Sequence, residues 1–151
     1  MTDFIAKAPY EAAHPTALAI YCSDGRFTTA VEELLQSLGH KRLDTMTLPG
    51  GPGLLNHLSV SYAEADVATK AATFLIKGHG IASVVLLAHA GCGYYRAKRT
   101  MDSPEQIRVR QIDDLRVGAR ALRRVKSDLD VRLYYAEPNP KRVEFESIEL
   151  A

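Results

Sequence analysis

Ala17-Leu18-Ala19-Ile20-Tyr21-Cys22-Ser23-Asp24-Gly25-Arg26-Phe27-Thr28-Thr29 runs from a short apolar segment straight into a cysteine, an aspartate and an arginine at alternate positions. Ala17 to Tyr21 reads as a strand, and Val31, Leu34, Leu35 and Leu38 then recur at helical spacing up to Gly39, so the order is strand, turn, helix. Thr29 and Glu32 have the spacing of a capping box, and Gly39 can close the helix in a left-handed conformation. An extended chain points alternate residues the same way. Cys22, Asp24 and Arg26 are therefore expected to meet at one place.

The same rhythm repeats along the chain. Leu43 to Leu48 reads as a second strand, running into Pro49-Gly50-Gly51-Pro52-Gly53, a loop of close backbone approach. An alanine-rich helix is predicted from about Leu58 to Lys77, and Ile81 to Ala88 is an apolar strand suited to burial on both faces of a parallel sheet, ending at His89. Ser103, Pro104 and Gln106 supply a cap, a first-turn proline and a capping-box partner for a helix whose apolar face is Ile107, Ile112, Leu115, Ala119 and Leu122. Val131 to Tyr135 and Val143 to Ile148 read as two closing strands, the last at an edge. Alternating strands and helices predict an α/β fold with a parallel sheet core flanked by helices, in a single domain over residues 1–151. Ligands in such folds sit beyond the C-terminal ends of the strands. Cys22, the glycine loop and His89 all follow strands, so they should share one crevice.

Composition narrows the function classes. With 46% hydrophobic and 25% charged residues the chain has a globular profile, and no apolar run approaches a membrane-spanning length. The N-terminal stretch lacks a basic region followed by a sustained apolar one, which predicts a cytoplasmic protein. In that compartment the two cysteines read as thiols or metal ligands rather than as a disulfide. Net charge is +1; the ten basic and four acidic residues between Arg96 and Lys126 are offset by three basic and six acidic ones beyond. No aromatic-interleaved motif accompanies the basic segment, so it reads as a solvated helix face and not as a nucleic-acid surface.

His89 and Cys92 stand three residues apart just past the third predicted strand. With Cys22 they make a Cys, His, Cys set suited to Zn²⁺, leaving a fourth position that holds water in catalytic sites. Two thiolates neutralise the metal's charge, so help is needed from neighbouring groups. A carboxylate held by Arg26 would give it, with backbone N–H groups near Gly50 or Gly91 free to contact a bound oxygen. A phosphatase-type phosphate loop is disfavoured, because Cys22 to Arg26 and Cys92 to Arg96 each enclose three residues where that loop encloses five.

Cys22-Ser23-Asp24-Gly25-Arg26 after the first strand, with His89-Ala90-Gly91-Cys92-Gly93 after the third, resembles the signature of the β-class carbonic anhydrases, and the likeness extends from about Ala17 to Ile148. The resemblance implies their α/β fold, a parallel sheet flanked by helices with an antiparallel edge strand. It also implies Zn²⁺ on Cys22, His89 and Cys92, and reversible hydration of carbon dioxide to bicarbonate by zinc-bound hydroxide. Asp24 and Arg26 would form a gate, in which Asp24 either pairs with Arg26 or swings onto zinc as a fourth ligand in a closed state. A homodimer or higher homo-oligomer is the expected assembly, with a small-molecule substrate and neither nucleic acid nor membrane as partner.

The sequence departs from that family at three places. Leu48-Pro49-Gly50-Gly51 replaces an Arg-Asn-Ala-Gly segment, the N-terminal arm is only about 14 residues, and the bulky Tyr94 and Tyr95 follow Cys92-Gly93. Two other readings stay open on the residues alone: a hydrolase of carbonyl sulfide or carbon disulfide, and a non-catalytic zinc module with Asp24 as permanent ligand. Asp24 and Arg26 could also be a plain surface ion pair. Of the remaining histidines, His14, His57 and His79 each read as structural or solvated, with His57 the best placed of them for proton transfer.

Overall fold

A computed structural model describes residues 1–150. Five strands form one sheet: β1 (Ala17–Tyr21), β2 (Asp44–Thr47), β3 (Ser83–His89), β4 (Asp130–Pro138) and β5 (Val143–Ile148). Their order across the sheet is β2-β1-β3-β4-β5, parallel throughout except for β5, which runs antiparallel on β4 at the edge. The parallel core and antiparallel edge strand are as expected.

Alternation within β1 divides the core in two. Leu18 and Ile20 face a cluster with α2 (Tyr62–Gly78) and α4 (Pro104–Val125), joined by Val84, Leu86, Leu115 and Leu122. Ala19 and Tyr21 face the other way, onto Phe27, Val31 and Leu35 around α1 (Thr28–Ser37). Helices on both faces explain why β1 and β3 are almost continuously apolar.

Local chemistry sets the helix ends. α1 begins without the Thr29–Glu32 box: Phe27 is its N-cap and no side chain caps it. The preceding turn starts the helix instead, with Arg26 N–H on Asp24 Oδ1 at 3.0 Å and Phe27 N–H on the Asp24 carbonyl at 3.1 Å. At the other end Gly39, at φ +91°, closes the helix as expected, and its own N–H and that of His40 reach the Gln36 and Leu35 carbonyls. α2 starts four residues later than predicted, because Ser61 and Glu64 form a reciprocal capping box. Its alanines Ala65, Ala68 and Ala72 are buried in the core, leaving Tyr62, Val67 and Phe74 on the outer side. Ser103 and Gln106 cap α4 as predicted.

The glycine loop becomes a buried 3-10 helix, Gly51–Leu55. A Cβ on Gly51 would lie 2.8 Å from Cys22 N and 2.9 Å from Tyr21 C, at φ +53°, so only glycine lets this turn press against the end of β1. A six-residue helix not foreseen in the sequence, α3 (Gly93–Lys98), follows β3. Among the described residues no helix is long and apolar enough to cross a membrane.

Candidate metal centre

Cys22 follows the last residue of β1, His89 is the last residue of β3, and Cys92 caps the start of α3. Because β1 and β3 are paired in parallel, Ile20 opposite Leu86, both strands deliver their ends to the same edge of the sheet. There the Cys22 and Cys92 sulfurs and a His89 ring nitrogen lie within 4.8 Å of one another.

The imidazole is fixed from two sides. Its Nδ1 lies 2.8 Å from the Ala90 carbonyl, the distance of an N–H donation, and the Phe27 ring packs on it at 4.3 Å between centroids. Its Nε2 is buried and has no hydrogen-bond partner. An unpaired buried ring nitrogen is unfavourable unless something else takes its lone pair. A tetrahedral zinc site holds sulfur and nitrogen donors about 3.5–3.8 Å apart, so the three groups fit such an ion after a modest contraction.

Backbone donors surround the sulfurs. Cys22 is drawn well below the ordinary thiol range, first by the Cys92 thiol and also by the N–H groups of Gly50 and Asp24. Cys92 is pushed up, first by sharing its proton with Cys22 and then by burial, and the main chain at Tyr95 and Tyr94 offsets part of that rise.

Asp24 faces the cluster but is held away from it. Arg26 Nη2 lies 2.6 Å from Asp24 Oδ2, and Arg26 Nε lies 3.0 and 3.1 Å from the two oxygens. Arg26 holds the carboxyl down at about 2, so Asp24 is ionised across the neutral range. Its Oδ2 stands 3.9 Å from His89 Nε2. Between Tyr21, Phe27, Val31, Leu87 and Ala136 lies an apolar crevice of about 10 Å³. An open cavity of about 830 Å³ lies across the Gly91–Gly93 turn, lined by Arg96, Arg99, Arg108, Glu105 and Glu137.

No family model and no curated protein matches the sequence. Solved structures do match in three dimensions. The β-carbonic anhydrase CafA of Aspergillus fumigatus aligns with a TM-score of 0.59 at 17% identity, over 91% of this chain and 77% of that one. A carbonic anhydrase from Streptococcus mutans aligns at 0.58 and 14% identity, over 94% and 87%. One of the tetrameric β-carbonic anhydrases of Sordaria macrospora aligns at 0.56 and 16% identity, over 89% and 81%. The fold is that of the β-carbonic anhydrases.

Within this β-carbonic anhydrase fold several polar residues reach the candidate site from α4 that no motif announced. Gln111, buried, donates from Nε2 to the His89 carbonyl at 2.8 Å. Asp114, also buried, accepts from Tyr95 Oη at 2.5 Å and from Asn56 Nδ2 and Ser59 Oγ at 2.7 Å each. Their only signal in the sequence is position: they fall on the apolar face of α4, at helical spacing from Ile107. The other histidines stand apart. His79 pairs with Asp44 at 2.6 Å and stacks on His14, and His57 is exposed in the turn after the 3-10 helix.

Proposed function

We propose that the chain is a zinc-dependent carbonic anhydrase, interconverting carbon dioxide and bicarbonate. One observation carries the reading: a buried, unpartnered His89 Nε2 faces two cysteine sulfurs, with a carboxylate beside them that Arg26 holds off. Cys22, His89 and Cys92 hold the metal in this proposal, and Asp24 and Arg26 serve the reaction. Asp24 would supply a fourth ligand if it left Arg26. A purely structural zinc has no need of a carboxylate with its own counter-ion.

When bound, zinc supplies a Lewis acid that makes water nucleophilic near neutrality. The rest is the work of the chain. Asp24, ionised and anchored through both oxygens, can only accept a hydrogen bond, so it orients the attacking water with a lone pair toward carbon. Phe27, Val31 and Leu87 line an apolar crevice beside Cys22 and His89, and apolar walls suit an uncharged substrate. The water oxygen adds to carbon, one C=O electron pair moves onto oxygen, and a proton leaves to solvent.

An assembly of at least two copies is part of the proposal. The Sordaria macrospora structures are of tetrameric enzymes, and here Phe4, Ile5 and Tyr10 lie exposed along the N-terminal segment. The deciding experiment is metal analysis joined to stopped-flow hydration of carbon dioxide, with carbonyl sulfide and carbon disulfide as alternative substrates. Zinc with turnover of carbon dioxide is the expected result. Turnover of the sulfur compounds alone would reassign the substrate, and zinc with no turnover would leave a non-catalytic module.

A further inference from the structure

We infer that Asp114 is a positioning residue for the metal centre, holding the Cys92 helix and the glycine loop in register through Tyr95 and Asn56. The inference rests on the proposed metal binding by Cys22, His89 and Cys92, and not on the reaction. Asp114 is 1% exposed. Burying a carboxyl among apolar side chains is unfavourable unless its oxygens are satisfied. Among the described residues it forms no ion pair; three neutral donors satisfy it instead, from two segments remote from α4. An apolar side chain at this point of the α4 face would join the core without that requirement.

Both segments abut a cysteine of the candidate site. Tyr95 presents its hydroxyl to Asp114 and stands in the short helix whose N-cap is Cys92, packed with it in one buried cluster, so one residue spans the distance from α4 to a ligand. The Tyr95 hydroxyl faces a carboxyl oxygen at 2.5 Å and donates to it. Asn56 and Ser59 follow the 3-10 helix, whose first residue, Gly51, presses on the backbone at Cys22. The two branches also touch. A Cβ on Gly53 would lie 2.0 Å from Tyr95 Oη, so the glycine leaves the seat that the phenol fills. Shifting Tyr95 therefore moves the Cys92 side and the Cys22 side together.

Groups that orient metal ligands typically change metal affinity by about 10–100-fold when removed. The test measures zinc affinity by chelator competition, beside thermal stability, in the full-length parent, Asp114→Asn, Tyr95→Phe, the double variant and Leu122→Ala. Asp114→Asn places an amide N–H₂ among donors. Tyr95→Phe removes only a hydroxyl and serves where Asp114→Asn does not fold. Leu122 lies in the same helix about two turns beyond Asp114 and away from the site, so Leu122→Ala lowers stability while leaving zinc affinity unchanged. The expected result is a zinc dissociation constant raised about tenfold or more in each single site variant, with the double variant no weaker than the worse single one. Zinc affinity within about twofold of the parent in Tyr95→Phe, and in Asp114→Asn where it folds, overturns the inference and leaves Asp114 a structural residue. A parent that binds no zinc overturns the metal reading itself, and the two failures are distinct.

Discussion

His89 directs Nδ1 at the carbonyl of Ala90, 2.8 Å away, and this one contact settles which face of the ring is left for chemistry. A ring nitrogen that donates to a carbonyl carries the proton, so the lone pair is on the other nitrogen. That nitrogen is Nε2, buried, unpartnered and turned toward Cys22 and Cys92.

Replacing any one of these three residues removes a donor from a three-donor set. Purified parent protein should carry about one zinc per chain, and Cys22→Ser, His89→Ala and Cys92→Ser less than about a tenth of that. Mass-spectrometric metal analysis checks it. Full occupancy in all three variants would remove the metal reading.

Arg26→Ala takes away the cation that fixes Asp24 and holds its carboxyl at about 2. Zinc content should be unchanged while hydration falls about 10–100-fold, because the freed carboxylate competes for the metal. Asp24→Ala should also keep zinc but become more sensitive to added anions. Stopped-flow rates and metal content measured together decide this; an Arg26→Ala variant as fast as the parent leaves Arg26 without a role in the gate.

Glu64 is held down at about 2, first by the Tyr94 hydroxyl, then by the Ser61 N–H and Lys98. A carboxyl whose folded-state value is depressed stabilises the fold above its unfolded value, 4.5 here, and that contribution disappears as pH falls through the folded value. Asp24 behaves the same way from 3.8. Urea midpoints should therefore decline between about pH 4.5 and about pH 2, and Glu64→Gln should flatten part of that decline. An unchanged slope in Glu64→Gln would contradict the assignment.

Gly51→Ala drives a methyl group into the backbone at Tyr21 and Cys22, at a φ of +53°. The strain alone should destabilise the fold by about 1–3 kcal/mol, and displacement of Cys22 should weaken zinc binding as well. Denaturant titration with chelator competition measures both.

Light scattering at micromolar concentration should show a dimer or a multiple of it, and deleting the exposed N-terminal segment that carries Phe4, Ile5 and Tyr10 should shift the equilibrium toward monomer. A full-length monomer would contradict the proposed assembly.

The sheet was legible because periodicity and punctuation agree: β1 runs into Cys22, β3 into His89, and β5 was read at its observed bounds. So was the convergence of Cys22, Asp24, Arg26, His89 and Cys92, since parallel strands place their ends together. Errors gathered at helix starts. Thr29–Glu32 has a capping spacing that the Asp24 turn makes unnecessary, while the working box at Ser61–Glu64 lies inside a segment whose Leu58 looked like helix. At six residues α3 is too short to show a period. Asn56, Gln111 and Asp114 are joined only by the folded chain, so no local pattern could reveal their partners.

The register of β1 against β3, Ile20 opposite Leu86, reverses the usual relation between a zinc ion and a small fold. In a zinc finger the ion organises a chain that is otherwise unfolded. Here main-chain bonds between two buried strands set the separation of Cys22 and His89, and an apolar core of β1, β3, α2 and α4 backs them. On the proposed metal reading causation runs from sheet to site: stripping the ion should leave the scaffold standing, and reloading it should be a local event at the strand ends rather than a refolding of the chain.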